Sequence, residues 1–492
     1  MALTIGLDVA RSSLSATAEQ IAVVSRNVGR VGDADATRKS VSVVTGPGSG
    51  VRVARIDRSY DPLLLHKALT SNSAAQSNSA VSDAIDQLNA TIGDTSLERS
   101  PASLIGKLSS ALLQYSASPS NASLAYSAVL AAKDVSNALN AAAATVSTVR
   151  SQADADIASS VDRVNSILSQ FEVLNKEIVV GTRAGRDVTD VADARDGLLK
   201  TLSTEIGIRT VERGDGDLAI YTDSNVTMFD KIARKVTFQP SGNIASGVLG
   251  SPVYVDGVPV AGTPHAMAVD TGKIAGLVAV RDELAPRFED QLDEIARGLI
   301  EAFAETDQSS VPSLPAAAGL FTYPGAPTVP TSGTIVNGLA STLSINGNVD
   351  PAQGGLVSRL RDGGISNPGN PAYLYNSTGA ASYETRIQGL VDQISAVRSY
   401  NGSAEIGTSA SLVDYASSSV SWLQTLRQTS REEAEYRTTV AERATAALSK
   451  DTGVSLDEEM ARMLELERTY QASSRLVTAI DGMLETLINA VR

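Results

Sequence analysis

The sequence predicts a mainly α-helical protein with a β domain inserted in its middle. Three observations carry that prediction. Apolar seams at alternating steps of three and four occupy both chain ends. A proline-free run in the first half keeps a helical period for about 50 residues, roughly 75 Å of helix. Most strand-like alternation, in contrast, lies after Gly207.

The N-terminal seam is Leu3, Leu7, Ala10, Leu14, Thr17, Ile21, Val24 and Val28. Arg38–Ile56 then alternates (Val41, Val43, Val51, Val53) as a short hairpin, with Gly46-Pro47-Gly48-Ser49-Gly50 as its turn. Helices are expected from about Pro62 to Ile92 and from Pro101 to Tyr115. Ser123–Val179 carries two joined seams. One is Val135, Leu139, Ala142, Val146, Val149 and Ala153; the other is Ile157, Val161, Val164, Leu168, Phe171 and Ile178. Between Val149 and Val161 the steps are all of four, a stutter that locally unwinds a supercoil.

Leu218–Tyr221 and Lys235–Phe238 read as strands. Val253–Val260 reads as a hairpin, because Asp256-Gly257 supplies the positive φ angles of a two-residue turn. Helical period returns over Ala275–Asp307, then Pro/Gly-rich irregular sequence runs from Val311 to Pro371. Helix resumes near Tyr383 and again over Ser409–Leu448, with the seam Leu412, Tyr415, Trp422, Leu426, Tyr436 and Val440. Ser455 with Glu458 has capping-box spacing for the last helix. Its seam is Met463, Leu466, Tyr470, Ser473, Val477, Ile480, Leu484, Leu487 and Val491.

The expected organisation is nested. Residues 1–60 with 455–492 form a terminal coiled-coil domain, 61–206 with 383–454 a long-helix bundle, and 207–382 the inserted β-containing domain with its helix near 275–307. Burying a Leu-sized seam residue is worth about 1.5–3 kcal/mol, against roughly 1–2 kcal/mol for ordering each backbone residue. A lone helix pair is therefore marginal, and the ends are expected to be loosely ordered until neighbouring subunits cover them.

Composition narrows the function. With 492 residues, 42% apolar and 20% charged, the chain can bury several cores. A net charge of −14 without a basic cluster argues against nucleic acid. No stretch approaches the roughly 18 apolar residues of a membrane span. Met1 to Asp8 lacks a basic n-region, so no cleaved signal peptide is expected. The chain has no cysteine and two histidines, so neither disulfides, thiolate sites nor a three-histidine zinc site can form.

Candidate chemistry dissolves on inspection. His66 falls on a helix and His265 in a Pro/Gly loop, both read as ordinary surface residues. Gly46–Gly50 lacks the Gly-Lys-Ser/Thr ending of a phosphate loop. Asp215-Gly216-Asp217 lacks the calcium-loop glutamate and reads as a turn. Asp193, Asp196, Asp282 and Glu283 are read as local ion pairs with Arg195 and Arg281. No catalytic, cofactor or metal site is expected.

The C-terminal residues Leu456-Asp457-Glu458-Glu459-Met460, Tyr470-Gln471-Ala472-Ser473 and Ile480–Ile488 resemble the ending of bacterial flagellar axial proteins. Gly6-Leu7, Leu14, Ser25, Asn27 and Val28 fit the N-terminal rod–hook motif. Asp190–Leu199, and Gly272–Leu277 followed by Arg281-Asp282, Leu284, Pro286, Gln291-Leu292-Asp293 and Ala296, are similar to the hook–filament junction family. The family usually has Thr-Pro-Gly-Tyr where Asp33-Ala34-Asp35-Ala36 stands here.

The resemblance implies a secreted structural adaptor at the hook–filament junction, without catalysis, exported unfolded through the flagellar type III apparatus. It implies a homo-oligomeric ring between the hook protein and the second junction protein (hook-associated protein 3), and a cytosolic export chaperone on the C-terminal helix. The implied assembly interface is Leu3, Leu7, Leu14, Ile21, Val24, Val28, Met463, Leu466, Tyr470, Val477, Ile480, Leu484, Leu487 and Val491. A flagellin-like hook-associated protein and an extracellular adhesin or enzyme on a helical scaffold are the competing readings.

Overall fold

The computed structural model describes residues 2–46, 50–92, 100–262 and 265–491. The chain opens with α1 (Ala2–Gly29) and an antiparallel hairpin of β1 (Lys39–Thr45) and β2 (Val51–Arg58), with Lys39 opposite Arg58. Pro47, Gly48 and Ser49 of the expected turn lie outside the described residues. The Gly46 amide donates to the Gly50 carbonyl at 2.6 Å and closes the hairpin.

Each of the next three helices starts where a short polar side chain satisfies its free amides. Asp61 accepts from the Leu63 and Leu64 amides at the head of α2 (Pro62–Ile92). Ser100 caps α3 (Pro101–Ala117), and Asn121 caps α4 (Ala122–Arg183). Both α2 and α3 carry proline in the first turn, where its missing amide costs nothing. With 62 residues, α4 is roughly 93 Å long at 1.5 Å per residue. It runs past the expected Val179, and the extra turn reaches the corner leading to α5 (Thr189–Glu205).

The inserted segment begins with a four-stranded antiparallel sheet of β3 (Ile208–Glu212), β4 (Leu218–Thr222), β5 (Thr227–Asp230) and β6 (Ile232–Ala233), in that order. A three-stranded sheet follows: β7 (Val236–Thr237), β8 (Val253–Val255) and β9 (Val258–Ala261). Asp256 and Gly257 at φ 52° and 82° make the expected two-residue turn. Lys235–Phe238 contributes only its central two residues as strand.

Next come α6 (Lys273–Ala279), a π turn over Val280–Leu284 and α7 (Ala285–Ala302). Pro286 explains the π turn, because it has no amide to offer the Asp282 carbonyl four residues back, and the helix widens there. The expected helix to Asp307 stops at Ala302. Irregular chain then holds α8 (Leu339–Thr342), α9 (Arg359–Asp362) and the pair β10 (Phe321–Thr322) with β11 (Ser344–Ile345). The chain returns through α10 (Thr385–Ser395), the pair β12 (Arg398–Ser399) with β13 (Ser409–Ala410), α11 (Leu412–Thr452) and α12 (Leu456–Val491).

One contiguous apolar core runs from Leu65 to Leu448, with α4 as its spine. Every residue of both predicted α4 seams is buried. On α11 the predicted seam is weaker: Leu412 and Tyr415 are buried and Tyr436 is exposed. Among the described residues, no buried member of this core belongs to α1, its hairpin or α12. The terminal helices find their burial against each other and, for α1, against the hairpin.

Candidate assembly site: the terminal helix pair and its polar clamp

The two ends form an antiparallel pair in heptad register. A Cβ on Gly6 would lie 3.6 Å from Ile480 Cδ1, Ser13 and Ser473 hydroxyls share a 3.3 Å hydrogen bond, and Asn27 Nδ2 donates to Glu459 at 3.0 Å. Each step up α1 is matched by an equal step down α12, in multiples of seven. Small side chains (Ala10, Thr17, Ser473) fill the middle of the contact and are buried there. Close helix approach follows from that choice.

The predicted interface residues divide by burial. Val24, Leu466 and Ile480 are buried. Leu3, Leu7, Leu14, Ile21, Val28, Met463, Val477 and Leu484 are half-buried. Tyr470 and Leu487 remain exposed, and the side chain of Val491 lies outside the described residues. One neighbouring helix covers only part of a helical circumference, and a 3.6-residue helix drifts about 20° per heptad from a 3.5 repeat. Seam residues at the flanks therefore emerge from a two-helix contact.

A buried polar clamp ties this pair to the rest of the chain. Asn27, fully enclosed, exchanges two hydrogen bonds with the Lys39 backbone, at 2.8 and 3.1 Å, besides reaching Glu459. Glu459 also accepts from Arg38 Nε at 2.8 Å, and the Arg38 amide donates to Thr452 at the end of α11. The start of β1 is thus locked to α1, α11 and α12 together.

Asp193 on α5 is the second half of the clamp, 0% exposed. It accepts from Lys39 Nζ at 2.7 Å and Thr37 Oγ1 at 2.6 Å, and Arg30 and Arg58 approach within 3.4 Å. Asp190 takes Lys39 and Arg30, Asp196 takes Arg58 at 2.6 Å, and Asp187 takes Arg26. Burial works to raise the Asp190 and Asp187 carboxyls; Lys39 with the Arg30 and Arg26 charges outweighs it for Asp190, and Thr189 and Arg26 for Asp187. Both are held below the usual carboxylate value.

The reading of these acids as local pairs is therefore corrected for Asp193 and holds only loosely for Asp196. Asp193 finds its cations just past α1 and on the hairpin; Arg195 stays 4.0 Å from Asp196 while donating to Asn175 at 2.9 Å and Gly216 at 2.6 Å. Asp282 does pair with its neighbour Arg281 at 2.7 Å, but Arg281 also reaches Asp154 on α4 at 2.7 Å. Helical spacing made the local partners plausible; the tertiary fold presents closer ones. The departing segment joins the clamp too: Asp33 bonds Arg30 at 2.9 Å and Asp35 bonds Lys200 at 2.8 Å.

His66 is exposed on α2 as expected. His265 is not an ordinary surface residue, since both ring nitrogens are enclosed without a hydrogen-bond partner among the described residues. Asp215-Gly216-Asp217 is the expected turn, with Asp215 at φ 62°.

Sequence matches to known proteins cover the helical bundle and the C-terminal helix. Residues 82–313 match the flagellar hook-associated protein FlgK helical domain, and residues 449–490 match the flagellar basal body rod FlgEFG protein C-terminal family. Flagellar hook-associated protein 1 of Bacillus subtilis is 21% identical across 99% of this chain and 98% of its own length. The chain is similar to flagellar hook-associated protein 1 along nearly its whole length. It is therefore a component of the bacterial flagellum.

The family's member from Salmonella typhimurium is 24% identical over 60% of this chain and 55% of its own. The flagellar hook junction protein FlgK from Burkholderia pseudomallei, a solved structure, is matched over 52% of this chain and 46% of that one, at 18% identity and TM-score 0.42. The helical-domain match takes in Asp193 and Arg281, and the C-terminal match takes in Glu459, Ser473 and Ile480. Sequence reasoning picked out Asn27, Asp193 and Asp196 but missed Thr37, Lys39 and Arg58 as their partners. Two arginines and a lysine clustered in Arg38, Lys39 and Arg58 around an otherwise ordinary hairpin were the available signal.

Proposed function

We propose that the chain is a non-catalytic structural adaptor joining hook to filament, assembled as a ring through its terminal helices. The observation that carries this reading is what α12 leaves uncovered. After pairing with α1, its Leu456, Met460, Leu464, Tyr470, Leu476, Met483, Leu487 and Ile488 still face solvent. A folded chain rarely keeps so much apolar surface on one helix unless a partner covers it.

The seam residues of both helices, Val491 included, then form the inner interface of the ring. The hook protein is the neighbour on one side and the second junction protein on the other. Before export, a cytosolic chaperone covers the α12 face. The helical bundle around α4 and α11 forms the outer wall, with the inserted 207–382 segment outermost. The separation of the inner helices from the rest is supported by the core, which excludes the terminal pair. The clamp at Asn27, Lys39 and Asp193 holds the inner helices at a fixed attitude to that wall.

Deletion of the gene tests the reading. The expected result is hooks without filaments and flagellin shed into the medium; normal filaments on the deletion strain refute it.

A further inference from the structure

Methionine is scarce in this chain, six among 492 residues, yet three of them, Met460, Met463 and Met483, lie on α12. Their placement is more informative than their number. Six of the large exposed apolar side chains of α12 fall into two stripes. Leu456, Met460 and Leu464, four residues apart, share one face of its first half. Leu476, Met483 and Leu487, at steps of seven and four, share a face of its second half. Each stripe is centred on a methionine, Met460 at 47% exposure and Met483 at 50%. Met463 is half-buried against α1, and Met228 is enclosed in the core.

We propose that Met460 and Met483 are sites of reversible oxidation that switch off the assembly face of α12. The inference rests on the adaptor reading and adds a control to it. An exposed thioether reacts with hydrogen peroxide: sulfur gives up two electrons and takes one oxygen, the peroxide O–O bond breaks, and water leaves. The product sulfoxide is polar and chiral, so the centre of each stripe changes from an adaptable apolar contact to a group that must be desolvated on burial. Assembly buries both sulfurs and so protects them; an unassembled subunit carries them open. Peptide sulfoxide reductases restore the thioether, which makes the change a switch rather than damage.

The test uses the full purified chain and isolated hooks. Brief peroxide treatment of the free chain should add one oxygen to Met460 and Met483 before Met463 or Met228, read by peptide mass spectrometry. Met267, at a distant exposed site, oxidises as an internal control. Co-sedimentation with hooks should fall at least tenfold and return after reductase treatment. In the Met460→Leu/Met483→Leu double variant, whatever its untreated binding to hooks, peroxide should cause no further loss of co-sedimentation. Chain already seated on hooks should show both methionines protected. Undiminished binding of the doubly oxidised chain, or a double variant as sensitive as the parent, overturns the switch and leaves the adaptor reading standing. Failure of the untreated chain to bind hooks at all counts against the adaptor reading itself.

Discussion

Lys39 Nζ lies 2.7 Å from Asp193 Oδ2 with both side chains closed to solvent, across 154 positions of sequence. The pair fastens the first strand of the terminal region to α5, and every other contact of the clamp surrounds it. Removing one partner of a buried pair costs about 3–5 kcal/mol when the other charge is left alone; Lys39 keeps the half-exposed Asp190 at 2.7 Å, so the cost here falls at or below the low end of that range. Asp193→Ala should therefore release the terminal helices while the Leu65–Leu448 core stays folded. Limited proteolysis should cut near residues 30–38 and 452–455, with the core fragment surviving. A Lys39→Met/Asp193→Leu double variant should recover part of the loss, because the buried ammonium goes with its partner, while Thr37 still lacks its acceptor. Equal sensitivity of core and ends in the single variant would contradict the division.

Acid should act on the two parts in opposite directions. Asp187 and Asp190 sit below the usual carboxylate value of 3.8, so their contribution is present above that value and lost as pH falls through their folded values. The clamp loosens below about pH 4. On α7 the sign is reversed. Burial pushes Asp293 up to about 7 despite amides donated by Ala340 and Gly338, and burial with the Glu289 charge pushes Asp290 up to about 6. A carboxyl raised in the folded state binds its proton more tightly there, so the core gains stability as pH falls from about 7 toward 4. Urea midpoints for the core transition should be higher at pH 5 than at pH 8, and Asp293→Asn should flatten that slope.

The coil itself is thin, so single truncations in its buried line should matter. Ile480→Ala and Leu466→Ala each remove an almost fully enclosed side chain. Large-to-small changes in a core cost about 2–5 kcal/mol, and a two-helix contact that can collapse belongs at the low end. The expected outcome is faster amide exchange along α1 and α12 alone. Gly6→Ala should be neutral, since its Cβ meets Ile480 at ordinary contact distance.

Periodicity and punctuation made the helices readable. Pro62, Pro101, Asn121 and Ser411 mark true starts, and the absence of proline let α4 run its full length. The Asp256-Gly257 turn was equally local. What stayed hidden was long-range. Nothing near Asp193 in sequence reveals that Thr37, Lys39 and Arg58 will surround it, and Arg195 beside it offers a false partner. The π turn before Pro286 was hidden because a helix can absorb a proline by widening as well as by ending. The irregular chain from Phe303 to Glu384 carries few periodic signals, since its amides are satisfied by isolated side chains such as Asp293, Glu305 and Asp307.

The exposed stripe of α12 separates assembly from stability. Leu476 and Leu487 are over half exposed, so replacing both with serine removes little that the single chain buries. Surface changes of this kind shift stability by about 0.5 kcal/mol or less. Thermal unfolding of Leu476→Ser/Leu487→Ser should match the parent. If neighbouring subunits bury those side chains, however, each lost contact weakens association by roughly 1.5–3 kcal/mol, and a ring repeats the loss at every interface. Cells carrying the double variant should export the protein, shed flagellin and swim no better than the deletion strain. Normal motility would place the assembly contacts on some other face of α12.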